Sequence, residues 1–422
     1  MFAKKKLLGR EIPLPGNYLK PAEDIAVLSV CIMLDFEPPR HVTEQTEAIQ
    51  VERHMRIAYS VPKHRSYMRS GTPSEPILAE AAAQLMEHVQ NAPSRLSDFV
   101  NEGLVDKGHA GELTARLLLT LAYQRVFRLN DIPDLREEIS EDHVPDEGSG
   151  GYLPHSRGCK LSRFLTALFG PDNYETLSVS MPDNQPMGES SSFDTLFENA
   201  WVRFTHFGRA DDQKVITTQF LWAAFLRCMA VQCSVNQPSV DIIIPVLINK
   251  KLPVSSENMT ALMFSVKNRT CAAHVNRINF TATKLGLFRN REPPRPYLNI
   301  LMQLGVSDNA EFRVLKPSKT SRATSIHPRF TINSIGCAPE VYPIVPVQRV
   351  DVYKGLLLSQ NTLAEHPRRG EASLKAVRAL KPFWDDESYE SWISFEDGAG
   401  EVGAEEESEE EESEEEDGIE EG

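Results

Sequence analysis

An aspartate at the head of one apolar run, a lysine at the end of the next, and a glutamate opening a leucine-rich helix are the residues of this chain best suited to chemistry. They are Asp241 in Asp-Ile-Ile-Ile-Pro-Val (241–246), Lys267 in Phe-Ser-Val-Lys-Asn (264–268) and Glu112 in Gly-Glu-Leu-Thr-Ala-Arg (111–116). Cleavage of a phosphodiester needs a cation on the non-bridging oxygens and an activated water. Mg²⁺ takes hard oxygen ligands, few from protein and several from water, so one or two carboxylates suffice. A nearby ammonium stabilises developing negative charge. Asp241 and Glu112 are therefore the candidate ligands for Mg²⁺ or Mn²⁺, and Lys267 is the candidate catalytic cation.

Two strands and a helix must position them. Residues 239–248 follow the turn cluster Asn236-Gln237-Pro238 and are short, apolar and β-branched, which predicts a strand. Residues 261–267 predict a second. Alternation places Met263, Ser265 and Lys267 on one face and Leu262, Phe264 and Val266 on the other. Pairing the two strands brings Asp241, Ser265 and Lys267 together, flanked by the apolar helix predicted over 217–233. Pro245 is awkward inside a central strand and predicts a strand end or bulge. Glu112 begins a helix that runs to Arg128 after the breaker cluster Lys107-Gly108-His109-Ala110-Gly111. Leu113, Leu117 and Leu121, widened by Leu118 and Ala122, form its apolar stripe. A first-turn acid suits the helix dipole. With Arg116 four residues on, Glu112 reads equally as half of an exposed ion pair.

The order helix-Glu, strand-Asp, then a strand ending in x-Val-Lys resembles the PD-(D/E)XK, restriction-endonuclease-like superfamily. Asp241 matches its first acid, Lys267 its lysine and Glu112 the helical acid of many members. Ser265 stands two before the lysine, where that family has Glu or Asp and sometimes Gln, so it matches by position only. The resemblance implies an α/β (α+β) fold with a small mixed sheet flanked by helices. It implies a catalytic set of Asp241, Lys267, Glu112 and Ser265, a Mg²⁺ or Mn²⁺ cofactor, and DNA or RNA as substrate. Ser265 removes a negative charge and implies a degenerate, weaker metal site unless another carboxylate, with Glu257 the candidate, supplies it. The alternative is a catalytically inactive nucleic-acid- or protein-binding module that keeps the fold. The wider chain is similar to fungal Crinkler-type hypothetical proteins in residues 74–82, 108–123, 203–208 and 327–330. Some of those place a nuclease domain behind an NTPase module, which implies a larger NTPase-containing partner. No Gly-x-x-x-x-Gly-Lys-Ser/Thr loop occurs in this chain, so NTPase activity of its own is not expected.

Length and composition bound the rest. With 422 residues, 41% of them hydrophobic, the chain can bury a substantial core in two or three domains. It has no apolar run of membrane-spanning length, its first ten residues are not expected to act as a secretory signal, and its six cysteines form no Cys-x-x-Cys pair. These features predict an intracellular, reducing setting, nucleus or cytoplasm, with buried free thiols and no zinc. Net charge is −15, yet residues 385–422 hold 20 of the 60 acids and no Lys or Arg. The remainder carries 45 basic against 40 acidic residues, a balance suited to meeting nucleic acid. The expected organisation is a β-rich region over 1–70, a nuclease-like core over 71–380 with a helical insertion at about 131–235, and a disordered acidic tail over 381–422. Helices are expected over 75–91, 94–101, 161–169, 192–205, 349–363 and 371–380. Strands are expected over 24–34, 51–61, 297–304 and 329–335. A basic loop is expected over 316–329.

Overall fold

A computed structural model describes residues 1–12, 17–36, 41–61, 68–102, 104–105, 110–128, 153–186, 191–210, 212–234, 239–272, 282, 285–288, 293–306, 309–317 and 325–358. The chain divides into Met1–Thr362 and Leu363–Gly422, and every described residue belongs to the first unit. The expected helix over 371–380, the acidic tail, residues 131–152 and residues 318–324 of the basic loop expected over 316–329 lie outside the described residues.

The N-terminal region is helical: α1 (Phe2–Leu8), α2 (Pro21–Ile32) and α3 (His41–Arg53) precede a small antiparallel pair, β1 (Ile57–Ser60) and β2 (Arg69–Gly71). This corrects the β-rich expectation for 1–70. The stretch expected as a strand over 24–34 forms most of α2. Pro21 occupies its first turn, and Glu23 reaches back to accept the Lys20 N–H at 2.9 Å. Ten of its twelve residues are buried, so no polar stripe betrays the helical period. Then come α4 (Pro76–Leu85), α5 (Ala92–Asn101) and α6 (Ala110–Arg128). Glu75 caps α4 by accepting the Leu78 N–H at 2.7 Å, as the Glu-Pro pair predicts.

Residues 159–335 build a nine-stranded mixed sheet. Its elements are β3 (Cys159–Lys160), α7 (Leu161–Phe169), α8 (Pro171–Ser178), α9 (Phe193–Leu196), β4 (Trp201–Val202), β5 (His206–Arg209), α10 (Thr218–Leu226), β6 (Met229–Gln232), β7 (Ile242–Leu247), β8 (Met259–Lys267), β9 (Tyr297–Gln303), β10 (Glu311–Val314) and β11 (Arg329–Ile335). Helix α11 (Val350–Leu358) closes the unit. The fold is α+β, a mixed sheet flanked by helices. Strand order runs β10-β11-β9-β8-β7-β4-β3, with β6 joining β7 and β5 joining β6. β8, β9 and β11 are mutually parallel, and β7 is antiparallel to β8.

The stretch expected as a helical insertion therefore contributes β3 to β6 to the same sheet. The helix expected over 217–233 ends at Leu226. Cys228 then turns the chain with φ of 53°, and β6 follows. No Gly or Pro marks that turn. Likewise only Phe193–Leu196 is helical within the helix expected over 192–205, and β4 follows.

β7 and β8 are buried on both faces, which is why each reads as a continuous apolar run. Ile242, Ile244, Phe264 and Val266 join the core that holds α2 and α6, while Ile243, Met263 and Ala261 join a second core around α10. Pro245 lies within β7, neither ending nor bulging it. β6 pairs with Ile242 and Ile243, β4 pairs with Val246 and Leu247, and neither is registered opposite Pro245. The missing N–H falls where one neighbour hands over to the next.

Candidate active site

The expected pairing of β7 with β8 is present, with Ile242 registered against Phe264 and Leu247 against Met259. Asp241 stands one residue before β7. Its N–H donates to the Phe264 carbonyl at 2.8 Å, and its Oδ2 accepts the Val266 N–H at 2.5 Å. These two bonds straddle Ser265. At a strand end the carboxylate can fold back over the ladder instead of standing off one face, and here it does.

Lys267 closes β8. Its Nζ lies 4.0 Å from Asp241 Oδ2, with the two side chains 30% and 19% exposed. That is beyond the roughly 2.9 Å of a direct hydrogen bond, so the pair is electrostatic and loose. Burial raises the Asp241 pKa above the ordinary aspartate value. The Val266 N–H and Lys267 pull it down, and the Glu112 carboxylate pushes it up. The Glu112 influence is the smallest of the four, so the close contact in the site is the one between Asp241 and Lys267.

Helix packing explains how Glu112 arrives. Gly111 lies in the first turn of α6, directly against the residue that follows Lys267. A Cβ on Gly111 would sit 2.8 Å from Asn268 Cβ, which real side chains do not tolerate. Glycine is required for this approach, and it brings the N-terminus of α6 onto the end of β8. Ser265 is fully buried, and its Oγ has no hydrogen-bond partner among the described residues. Its side chain shares the face of Met263 and Ala261, which packs on the second core, opposite the Val266 face against which the start of α6 lies.

Glu257 does not join. It lies in the 3-10 turn Ser256–Asn258 that leads into β8, at the opposite end of that strand from Ser265. Ser265 stands six positions beyond Met259 along the strand, about 20 Å at 3.3 Å per residue. The suggestion that Glu257 replaces the missing acid is corrected.

Two further residues belong to the cluster and were not identified from sequence as a pair. Arg116 is no exposed partner of Glu112. It is 4% exposed, and its Nη1 donates to Gln232 Oε1 at 2.8 Å while Nη2 donates to the Met33 carbonyl at 3.3 Å. Gln232, the last residue of β6, in turn donates through Nε2 to Glu112 Oε2. Burial lowers the Arg116 pKa to about 10, opposed by Asp35 and Glu112, so it remains cationic at neutral pH. The signals available in sequence were an arginine inside a leucine run and an amide inside Met-Ala-Val-Gln-Cys (229–233).

Among the described residues no group of three or more His, Cys, Asp or Glu converges on a metal-sized point. A cation here would be held by the Asp241 and Glu112 carboxylates, with water and substrate oxygens completing the shell, as Mg²⁺ permits. The donors are hard oxygens, and the Glu112 carboxylate raises the Asp241 pKa. Two carboxylates are of the donor type that Mg²⁺ or Mn²⁺ takes.

Beyond the strand end lies a cavity of about 250 Å³ at the carboxyl ends of β8, β9 and β11. Thr270, Leu304, Ala338, Val350 and Leu357 line it, with Lys354 among them. It adjoins the site through the backbone, because the Leu304 N–H donates to the Lys267 carbonyl at 2.9 Å. All six cysteines are unpaired; five are buried, and Cys271 is exposed, contrary to the expectation that all are buried. Among the described residues no helix is long and apolar enough to cross a membrane.

No curated protein and no solved structure matches the chain. A family model described as a domain of unknown function (DUF8736) matches residues 17–147. The matched segment spans α2 through α6 and includes Glu112 and Arg116, whereas Gln232, Asp241, Ser265 and Lys267 lie beyond it.

Proposed function

We propose that the cluster at the ends of β7, β8 and α6 is a divalent-metal-dependent phosphodiesterase site acting on nucleic acid, of the PD-(D/E)XK type. The observation that carries this reading is the ammonium of Lys267 at 4.0 Å from the Asp241 carboxylate, on paired strands, with Glu112 repelling the same carboxylate. A bound Mg²⁺ or Mn²⁺ would supply charge neutralisation at the phosphate and acidify a water. Asp241 and Glu112 would hold it. The Val266 N–H keeps Asp241 turned toward the site. Lys267 would stabilise negative charge on the attacking water or on the phosphate oxygens, a task for a compact, partly desolvated cation. Ser265 occupies the position of a second strand acid but carries no charge, so metal affinity should be lower than with Glu there.

The test is cleavage of single-stranded DNA, duplex DNA and RNA with Mg²⁺ or Mn²⁺ and with EDTA. Wild-type protein should cleave at least one substrate only with metal. Lys267→Ala and Asp241→Asn should each lower the rate by at least about 100-fold, the range expected when one electrostatic group is removed from a preorganised site. Ser265→Glu should tighten Mn²⁺ binding, because it restores a hard anion. Cleavage that persists in EDTA would rule out the metal mechanism.

The absence of charge at Ser265 favours one second reading, a catalytically silent module that binds nucleic acid or a protein. On that reading the wild type binds without cutting, and Ser265→Glu creates activity instead of improving it. A larger NTPase-containing partner belongs to either reading and would be found by co-purification.

A further inference from the structure

We infer that Gln232 is a positioning residue of this site, locked by the buried Arg116 so that its amide N–H₂ holds the Glu112 carboxylate in place as a metal ligand. The inference rests on the metal-dependent reading above and adds a residue that reading does not use.

Amide orientation is normally ambiguous, since oxygen and nitrogen look alike. Here chemistry decides it. A guanidinium has donors and no acceptor, so whatever faces Arg116 Nη1 must accept. The Gln232 oxygen therefore faces Arg116, at 2.8 Å, and the nitrogen necessarily faces Glu112. Arg116 is itself immobilised. It is buried, its second nitrogen is tied to the carbonyl of Met33 at the end of α2, and it lies one helical turn after Glu112 on α6.

Three elements are thus pinned around one carboxylate: the end of α2, the first turns of α6 and the end of β6. Gln232 is 4% exposed and pairs in register with Ile242, the residue after Asp241. The same side chain that orients Glu112 therefore stands beside the strand that presents Asp241. Ligating carboxylates need such partners, and removing one typically costs 10- to 100-fold in metal affinity.

The experiment is Mn²⁺ titration by calorimetry on the full chain, for wild type, Gln232→Met, Glu112→Gln and the double variant, with thermal unfolding in EDTA as a check on folding. Methionine keeps the length and volume of the side chain while removing its hydrogen bonds. Gln232→Met should weaken Mn²⁺ by about 10-fold or more. In the Glu112→Gln background the same change should cost nothing further, because the carboxylate it positions is gone. A residue that only supports the fold would lower both backgrounds alike, and additive losses would overturn the inference. If Gln232→Met does not fold, Gln232→Asn serves: it keeps the amide but is too short to bridge, and should show the same dependence on Glu112. A wild type that binds Mn²⁺ and a Gln232→Met that binds equally well would sink the role of Gln232 alone. A wild type that binds no Mn²⁺ would sink the metal reading and this role together.

Discussion

Asp241 shows how much one position can be made to carry. Its backbone N–H extends the ladder to Phe264, its carboxylate takes the Val266 N–H, and burial still leaves it harder to ionise than an ordinary aspartate. Asp24, inside α2, is the clearest contrast, because nothing compensates its burial fully. Its side chain is fully buried, and Arg95 approaches to 3.1 Å. An ion pair argues for a charged Asp24, yet the pKa is pushed up to about 7, with burial the largest cause. Burial prevails because Arg95 is 29% exposed and also lies 3.7 Å from Asp98, so its field is shared and screened. The sign follows from linkage. A raised folded-state pKa favours the protonated form in the folded protein, so this stabilisation is full below about pH 4 and is lost as pH rises through about 7. Asp24→Asn should therefore have a higher Tm than wild type at pH 8, and the gap should shrink as pH falls toward 4. A gap that does not change with pH would show that Arg95 keeps Asp24 ionised throughout.

At the scale of elements, the contact between α6 and β8 assembles the site. Gly111 allows it, and the consequence is testable. Gly111→Ala places a methyl 2.8 Å from Asn268 Cβ. Helix propensity alone would make this change favourable by about 1 kcal/mol, while overpacking costs about 1–3 kcal/mol. The net effect should be a lower Tm and, on the proposed metal reading, a loss of Mn²⁺ affinity as Glu112 is pushed away from Asp241. A stabilised variant with unchanged affinity would show that the helix end shifts without penalty. Glu80 plays a comparable tying role for α4. It accepts the Ser156 N–H at 2.7 Å and the Ser156 hydroxyl at 2.6 Å, lies 3.3 Å from His155 Nδ1, and also takes the side-chain amide of Gln84. Although burial opposes it, these donors pull the Glu80 pKa down to about 2. Glu80→Ala should destabilise the chain by about 3 kcal/mol or more, since a buried, multiply bonded charge loses its place and leaves its donors unpaired. Chemical denaturation measures this, and a loss below about 1 kcal/mol, the worth of a surface ion pair, would contradict it.

Across the whole molecule, charge is the property with the widest reach. Residues 385–422, outside the described residues, carry 20 acids against a body with 45 basic and 40 acidic residues. If the site meets nucleic acid, these acids compete with phosphates for the same basic surface, and salt screens the competition. Removing residues 385–422 should tighten binding of an oligonucleotide at low salt, with the gain shrinking as salt rises. Affinities that match at both ionic strengths would leave the segment a solubilising role only. Ser408 and Ser413 sit within the acidic runs, so phosphorylation there would deepen the same effect.

Local pattern was enough for some of this. Glu75-Pro76 marks the start of α4, and the β-branched runs mark β7 and β8. Their alternation sets Ser265 and Lys267 on one face, and the antiparallel pairing that joins them to Asp241 follows from a short connection. Local pattern failed where burial is complete. α2 and the stretch over 217–233 are apolar on nearly every side, so hydrophobic period cannot separate helix from strand, and a cysteine makes the turn at 228 where a glycine would have announced it. The hand-over that accommodates Pro245 depends on β4 and β6, which both precede it in the chain by more than ten residues. The bridge from Arg116 through Gln232 to Glu112 spans 116 residues in one contact and 120 in the other. Such contacts leave no periodic trace, because only the closed sheet and the helix packed across it bring the partners within bonding distance.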